Sequence, residues 1–331
     1  MTMIYTEVHG DLSYLDGKTV AIIGYGSLGR SVALNLRDSG LNVLVSETDL
    51  ERVTTLQEAG FQLVTISEAV QKAQVIILLV PNETMPGIYL DQISPQLRRG
   101  HMLIFASAYN LTFGFIEPPP FVDVGLIAPR ILGPAVRERF TAGEGFYSFI
   151  SVAQDSSGQS WPLLLALAKA LGTLRAGAIE IAFQWEAELD LFVQQTILPL
   201  MHLVFTTAAN LLINKGYTPE AALTELYLSG EINDYLERAT QSGLLQALLL
   251  APLTNQYGTF SRVNRFSDLK LERLMEVTLD EIKEGNFARE WSKEYADGYN
   301  RLKKLIKEQQ TMELWELEKQ ALEMFGQNIE S

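Results

Sequence analysis

The chain has 331 residues, 47% of them hydrophobic and 20% charged, enough for two domains that each bury a core and too apolar for long disordered tracts. A formal net charge of -14 argues against a polyphosphate-binding surface, because phosphate affinity rests on clustered Lys and Arg, so nucleic acid is not an expected partner. The absence of cysteine removes disulfides, thiolate nucleophiles and Cys-based zinc sites. Residues 1–18 carry Glu7, Asp11 and Asp16 and lack a basic region followed by an apolar run, so no secretory signal is expected and the cytoplasm is the expected location. The longest apolar runs, 75–80 and 244–253, fall short of the roughly 20 residues a spanning helix needs, so no membrane partner is expected.

Residues 19–24, TVAIIG, have the β-branched profile of a strand buried on both faces, and they lead directly into glycines. Helical spacing follows over 27–39, with Leu28, Val32, Ala33 and Leu36 apolar and Gly40 placed as a C-cap. Further strands are predicted at 41–45, 62–64, 75–80, 103–106, 122–128 and 149–153, with helices at 50–59 and 67–72. Strands alternating with helices predict a parallel, doubly wound α/β sheet of Rossmann type. After about Gly177 strand-like runs fade, and helical spacing continues through 183–215, 219–241, 270–284 and 289–325. A domain boundary is therefore expected near residue 182, with the α/β domain over 1–182 and an all-α domain over 183–331.

Gly24-Tyr25-Gly26-Ser27-Leu28-Gly29 fits G-x-G-x-x-G between a buried strand and a helix. The glycines permit close backbone approach to a pyrophosphate, and the helix start offers N–H groups and a positive dipole end. At the end of the second strand, Glu47 can accept bonds from the adenosine ribose hydroxyls and would repel an extra phosphate, which favours NADH over NADPH. Asp49 suits a helix N-terminus equally well. Arg52, one turn on, keeps NADPH open.

The stretch GYGSLGRSVALNLRDSGLNVLV, residues 24–45, resembles the nucleotide-binding segment of ketol-acid reductoisomerases, which carry a GYGSQG loop and an ALNLRDSG helix. The resemblance continues in order through Pro81-Asn82-Glu83, Val122-Asp123-Val124, Ala128-Pro129-Arg130, residues 154–158, Asp190-Leu191-Phe192, residues 216–220 and residues 285–288. It implies a cofactor contact at Pro81, a knotted helical domain and a homodimer. The apolar runs at 198–212 and 244–253 are consistent with such an interface. The family uses NAD(P)H and two magnesium ions to isomerise and then reduce a 2-hydroxy-2-alkyl-3-oxo acid.

Departures from the family pattern gather at the chemistry. Of its four metal-binding carboxylates, Asp190 and Glu225 are kept, whereas Gln194 and Ser229 stand where glutamates are expected. Magnesium prefers charged oxygens in near-octahedral geometry, so at most a single weak ion on Asp190 and Glu225 is expected, and the electrophile for alkyl migration is expected to be missing. Ser107-Ala108-Tyr109-Asn110 replaces the family's His-Gly-Phe-Asn, Arg130 its lysine, and Pro252 its substrate serine. His9, His101 and His202 match none of its catalytic positions and are read as structural or exposed. The leading expectation is an NAD(P)H-dependent reductase of a small carbonyl, 2-oxo acid or imine without the isomerase step. In it Ser107 or Tyr109 donates a proton and Arg130 pairs with an anion, or an acidic wall of Glu186, Asp190 and Glu225 instead attracts a cationic or iminium substrate. Glu186 and Asp190, four residues apart, equally fit a salt-bridged helix face. The alternatives are a working ketol-acid reductoisomerase with an altered metal site and a catalytically silent NAD(P)-binding regulatory protein.

Overall fold

The computed structural model describes residues 2–326, which divide into two compact units meeting in sequence at Asp190 and Leu191. In the first unit eight strands form one sheet: β1 (Ile4–Tyr5), β2 (Thr19–Ile23), β3 (Asn42–Ser46), β4 (Val75–Leu78), β5 (Met102–Phe105), β6 (Asp123–Pro129), β7 (Ser148–Gln154) and β8 (Ala178–Glu180). Their order across the sheet is β1-β8-β7-β6-β5-β4-β2-β3. Both faces are covered, as the apolar runs require. Val20, Ile22, Val75, Ile77, Met102 and Ile104 enter one core, and the alternate residues Ala21, Ile23, Ile76, Leu78, Leu103 and Phe105 enter the other.

The doubly wound expectation holds, with corrections to the strands. The sheet is mixed: β2 to β6 run parallel, but β7 is antiparallel to β6, and β1 is antiparallel to β8. Buried strands show the same apolar run in either direction, so composition does not encode this reversal. The connection from β6 returns at the same end of the sheet through the helix Gly133–Ala142. The strand expected at 62–64 is reduced to a single bridge between Leu63 and Val45.

The cut between units falls beyond the change of pattern near 182 because the helix Phe183–Phe192 starts on the first unit, with Ala187 buried among residues of β4 and β5. The helix continues through a wide turn, Val193–Ile197, into Leu198–Asn214. By length and composition Phe183–Asn214 is apolar enough to cross a membrane, and 17% of its most apolar window is buried. Core and interface helices of globular proteins share that composition. The second unit is helical, but two segments expected to be continuous are broken. Gly230 at φ 81° separates the wide turn Thr224–Leu228 from the helix Glu231–Ser242, and Gly298 and Tyr299, at φ 70° and 65°, separate Asn286–Ala296 from Asn300–Gln310.

Candidate active site

Strand order reverses at β2, which has β3 on one side and β4 on the other. In open α/β sheets ligands bind beyond the carboxyl ends of the strands at such a switch point. Five of the segments read as functional leave the sheet at these ends: Gly24–Gly29 after β2, Glu47 after β3, Pro81 after β4, Ser107 after β5 and Arg130 after β6.

Two loop glycines are required by backbone contacts. A Cβ on Gly24, at φ 104°, would lie 2.8 Å from the Leu79 carbonyl oxygen, and one on Gly29 would lie 2.1 Å from the Gly24 oxygen. Gly26 caps α1 (Ser27–Asp38), so the first N–H groups of that helix face the end of β2. Glu47 binds the loop itself: its carboxylate accepts the Tyr25 N–H at 2.7 Å, the Thr48 N–H at 2.6 Å and the Asp49 N–H at 3.0 Å. Asp49 caps α2 (Leu50–Glu58) by accepting the Glu51 and Arg52 N–H groups. The Arg52 guanidinium sits 3.9 Å from Glu47 and 3.7 Å from Asp49, which partly neutralises this corner. Gly133 gives no signal in the sequence motif, yet a Cβ there would come within 2.6 Å of the Leu28 nitrogen, so the helix it opens packs directly on the start of α1.

At the far side of the same sheet edge, Arg130 forks between two carboxylates. Its Nη1 donates to Glu186 Oε1 at 3.0 Å and its Nη2 to Asp190 Oδ1 at 2.9 Å, while the guanidinium lies 5.1 Å from the centre of the Phe149 ring. Glu186 is 1% exposed, and its second oxygen accepts the Ala108 N–H at 2.7 Å. Burial pushes its carboxyl up to about 7, against the downward pull of the Ala108 N–H and Arg130. Of the alternatives for Glu186 and Asp190, the salt-bridged arrangement is the one observed, and the acidic wall carries its own counter-ion. Arg130 does pair with anions here, both of them internal. The sequence offered the four-residue spacing of Glu186 and Asp190 and the arginine at 130, but no signal that the two meet.

Ser107 is half-buried beside this group, its Oγ accepting the Tyr109 N–H at 3.3 Å. Tyr109 is enclosed: its ring packs on Phe113 and Phe115, its hydroxyl is buried without a hydrogen-bond partner, and burial raises it to about 12. That placement suits packing better than proton donation. Pro81 opens a tight turn whose carbonyl accepts the Thr84 and Met85 N–H groups. Within the second unit, Glu225 lies in the wide turn Thr224–Leu228 and lines a cavity of about 750 Å³ with Glu231, Tyr235, Arg238 and Gln256. Gln194 lies in the other wide turn, Val193–Ile197. Such turns widen a helix locally and recur at functional sites. His101 is buried, while His9 and His202 are exposed.

Residues 14–177 match the family model described as acetohydroxy acid isomeroreductase, NADPH-binding domain, and residues 183–327 match that described as ketol-acid reductoisomerase, C-terminal domain. The chain belongs to the ketol-acid reductoisomerase family. It is 39% identical over 314 residues to the ketol-acid reductoisomerase (NADP(+)) of Pyrobaculum aerophilum, covering 94% of this chain and 95% of that protein. A relative of the same name in Sulfolobus acidocaldarius is 37% identical over 314 residues, with 93% of each covered. The solved structure of an NADH-preferring ketol-acid reductoisomerase from an uncultured archean superposes with a TM-score of 0.91 at 30% identity, covering 98% of this chain and 100% of that one. As a member of this family, the chain is an NAD(P)H-dependent oxidoreductase with a Rossmann-type first unit and a helical second one.

The two cofactors of ketol-acid reductoisomerases fit these residues unequally. The dinucleotide fits: the glycine turn admits a close phosphate, α1 presents its N-terminus, and Glu47 stands at the end of β3. The magnesium pair does not. Asp190 is held by Arg130, Gln194 supplies a neutral oxygen, and Ser229 is too short to replace a glutamate. Among the described residues no group of three or more His, Cys, Asp or Glu is gathered in a way that could hold a metal ion.

Proposed function

We propose that this chain reduces a small ketol- or 2-oxo-acid with NAD(P)H. Two readings share that statement. The names of the relatives, and the near-complete length over which they align, favour the complete ketol-acid reductoisomerase reaction, and they back it better than the reductase-only expectation raised from the sequence. Reduction without alkyl migration is favoured by one observation, the Arg130 fork that occupies Glu186 and Asp190. Alkyl migration needs an electrophile on the ketone, whereas reduction of a 2-oxo acid needs a hydride, a proton and a hold on the anion. The geometry of this chain's own residues carries the second reading.

The bound nicotinamide supplies the hydride. Gly24–Gly29 and α1 hold the pyrophosphate, and Glu47 meets the ribose, a carboxylate placement that favours NADH over NADPH; the NADH preference named for the similar archean structure agrees. Arg130 uses two of its five N–H donors on Glu186 and Asp190, which leaves donors for a substrate carboxylate or carbonyl oxygen. Ser107, just after β5, and Glu186, which accepts the Ala108 N–H from the helix Phe183–Phe192, are the proton donors this geometry offers, and Glu225 is proposed as a substrate contact of the second unit. Tyr109 supports the wall by packing.

The apolar surface of the second unit, including Leu198, Leu203, Val204, Leu211 and Leu250, each more than half exposed, supports a homodimer. A cytoplasmic location belongs to the same proposal. The functional test offers two substrates. Acetolactate has no 2-oxo group until it isomerises, whereas its rearranged product, 3-hydroxy-3-methyl-2-oxobutanoate, needs reduction alone. Turnover of the second without the first supports reduction alone, turnover of both supports the complete reaction, and turnover of neither with NADH or NADPH overturns the proposal.

A further inference from the structure

The group at Arg130, Glu186 and Asp190 holds a cation of its own. A guanidinium is planar and presents paired donors, so one Arg can satisfy two carboxylates at once, and both of its bonds here, 3.0 Å and 2.9 Å, are of charge-assisted length. Three features fix it in place. Phe149 backs its face at 5.1 Å, Glu186 is anchored from behind by the Ala108 N–H, and Arg130 follows Pro129 at the end of β6. The edge toward solvent stays open, with the side chains of Arg130 and Asp190 30% and 37% exposed. We infer that Arg130 is the resident cation of this site, occupying the carboxylate oxygens a divalent ion would need, so that substrate polarisation here comes from a fixed guanidinium and is independent of metal.

A divalent ion entering this site would have to displace the guanidinium from Asp190 and would leave it beside a second positive charge. Both costs act against entry. Replacing Arg130 by Lys alters the balance in a defined way. An ammonium is a point charge on a flexible stem and cannot reproduce a planar fork across two carboxylates, so one of them becomes available. Arg130→Ala releases both. Arg130 is thus a positioning and specificity residue for the kind of cation the site accepts.

The inference rests on the reading of reduction without alkyl migration, and its test uses no substrate, so the two can fail separately. Mn2+ is titrated into the full-length wild type, Arg130→Lys and Arg130→Ala, with free metal followed by electron paramagnetic resonance and folding checked by circular dichroism. The wild type is expected to show no site tighter than about 1 mM, and Arg130→Lys to bind at least about tenfold more tightly. Arg130→Lys retains the positive charge, so the test stands even where Arg130→Ala fails to fold. A wild type that binds Mn2+ well below 1 mM, or a folded Arg130→Lys that binds no better than wild type, overturns the inference.

Discussion

Replacing Glu186 by Gln tests whether the carboxyl beneath Arg130 is as costly to ionise as its burial implies. Its carboxyl is pushed up from 4.5 to about 7, chiefly by loss of solvent and further by the neighbouring charge of Asp190. A raised folded-state value means that the native protein holds the proton more tightly than the unfolded chain. The resulting stability is fully present below pH 4.5 and is lost as pH rises through 7. From pH 5 to pH 8, a shift of that size corresponds to a loss on the order of 2 to 3 kcal/mol attributable to this one group. Gln keeps an oxygen for the Ala108 N–H but cannot ionise, so Glu186→Gln is expected to lose that part of the pH dependence. Urea unfolding of both proteins at pH 5 and pH 8 gives the double difference directly. Identical pH dependence in the two proteins, within about 0.5 kcal/mol, would refute the assignment of a buried carboxyl that holds its proton more tightly when folded.

Gly29→Ala places a methyl group 2.1 Å from the Gly24 oxygen, so the loop must open, and NADH affinity measured by calorimetry is expected to fall by more than about 100-fold while the circular dichroism spectrum is kept. Glu47→Ala frees the Tyr25 N–H and removes the proposed ribose acceptor; NADH binding should weaken roughly tenfold and the ratio of NADH to NADPH affinity should drop, whereas an unchanged ratio would remove Glu47 from cofactor choice. His101 is buried with Nε2 unpartnered and is pushed down to about 4, mainly by burial, with Arg98 adding to the effect. The native state therefore holds it neutral, and its contribution to stability is lost as pH falls from 6.5 through 4. His101→Gln should flatten the acid side of a thermal-melt series, and an equally steep acid side in the variant would count against this role.

Much of the first unit was legible because its signals are local. A β-branched run closed by Gly24, a helix beginning at Ser27 and a carboxylate at the end of β3 are each set by backbone geometry within a few residues. The direction of β7 was not legible, since Ser148–Gln154 presents the same buried run whichever way it lies. Helix breaks at Gly230 and at Gly298-Tyr299 turn on one or two positive φ values that helical spacing on either side conceals. At the site, the change from lysine to arginine at 130 and the four-residue spacing of Glu186 and Asp190 were both readable, but their union was not. It depends on the end of β6 and the helix Phe183–Phe192 meeting across 56 residues of sequence. Tyr109 misled for a related reason: a tyrosine after a β-strand is a plausible acid until Phe113 and Phe115 are seen to enclose it.

The most direct measurement is oxidation of NADH, followed with 3-hydroxy-3-methyl-2-oxobutanoate and with acetolactate, each in chelator and in excess magnesium. The Arg130-based account predicts that the rearranged acid is reduced at the same rate in both conditions while acetolactate is not consumed. Magnesium-dependent consumption of acetolactate would contradict it and would restore the complete metal-assisted reaction to this chain.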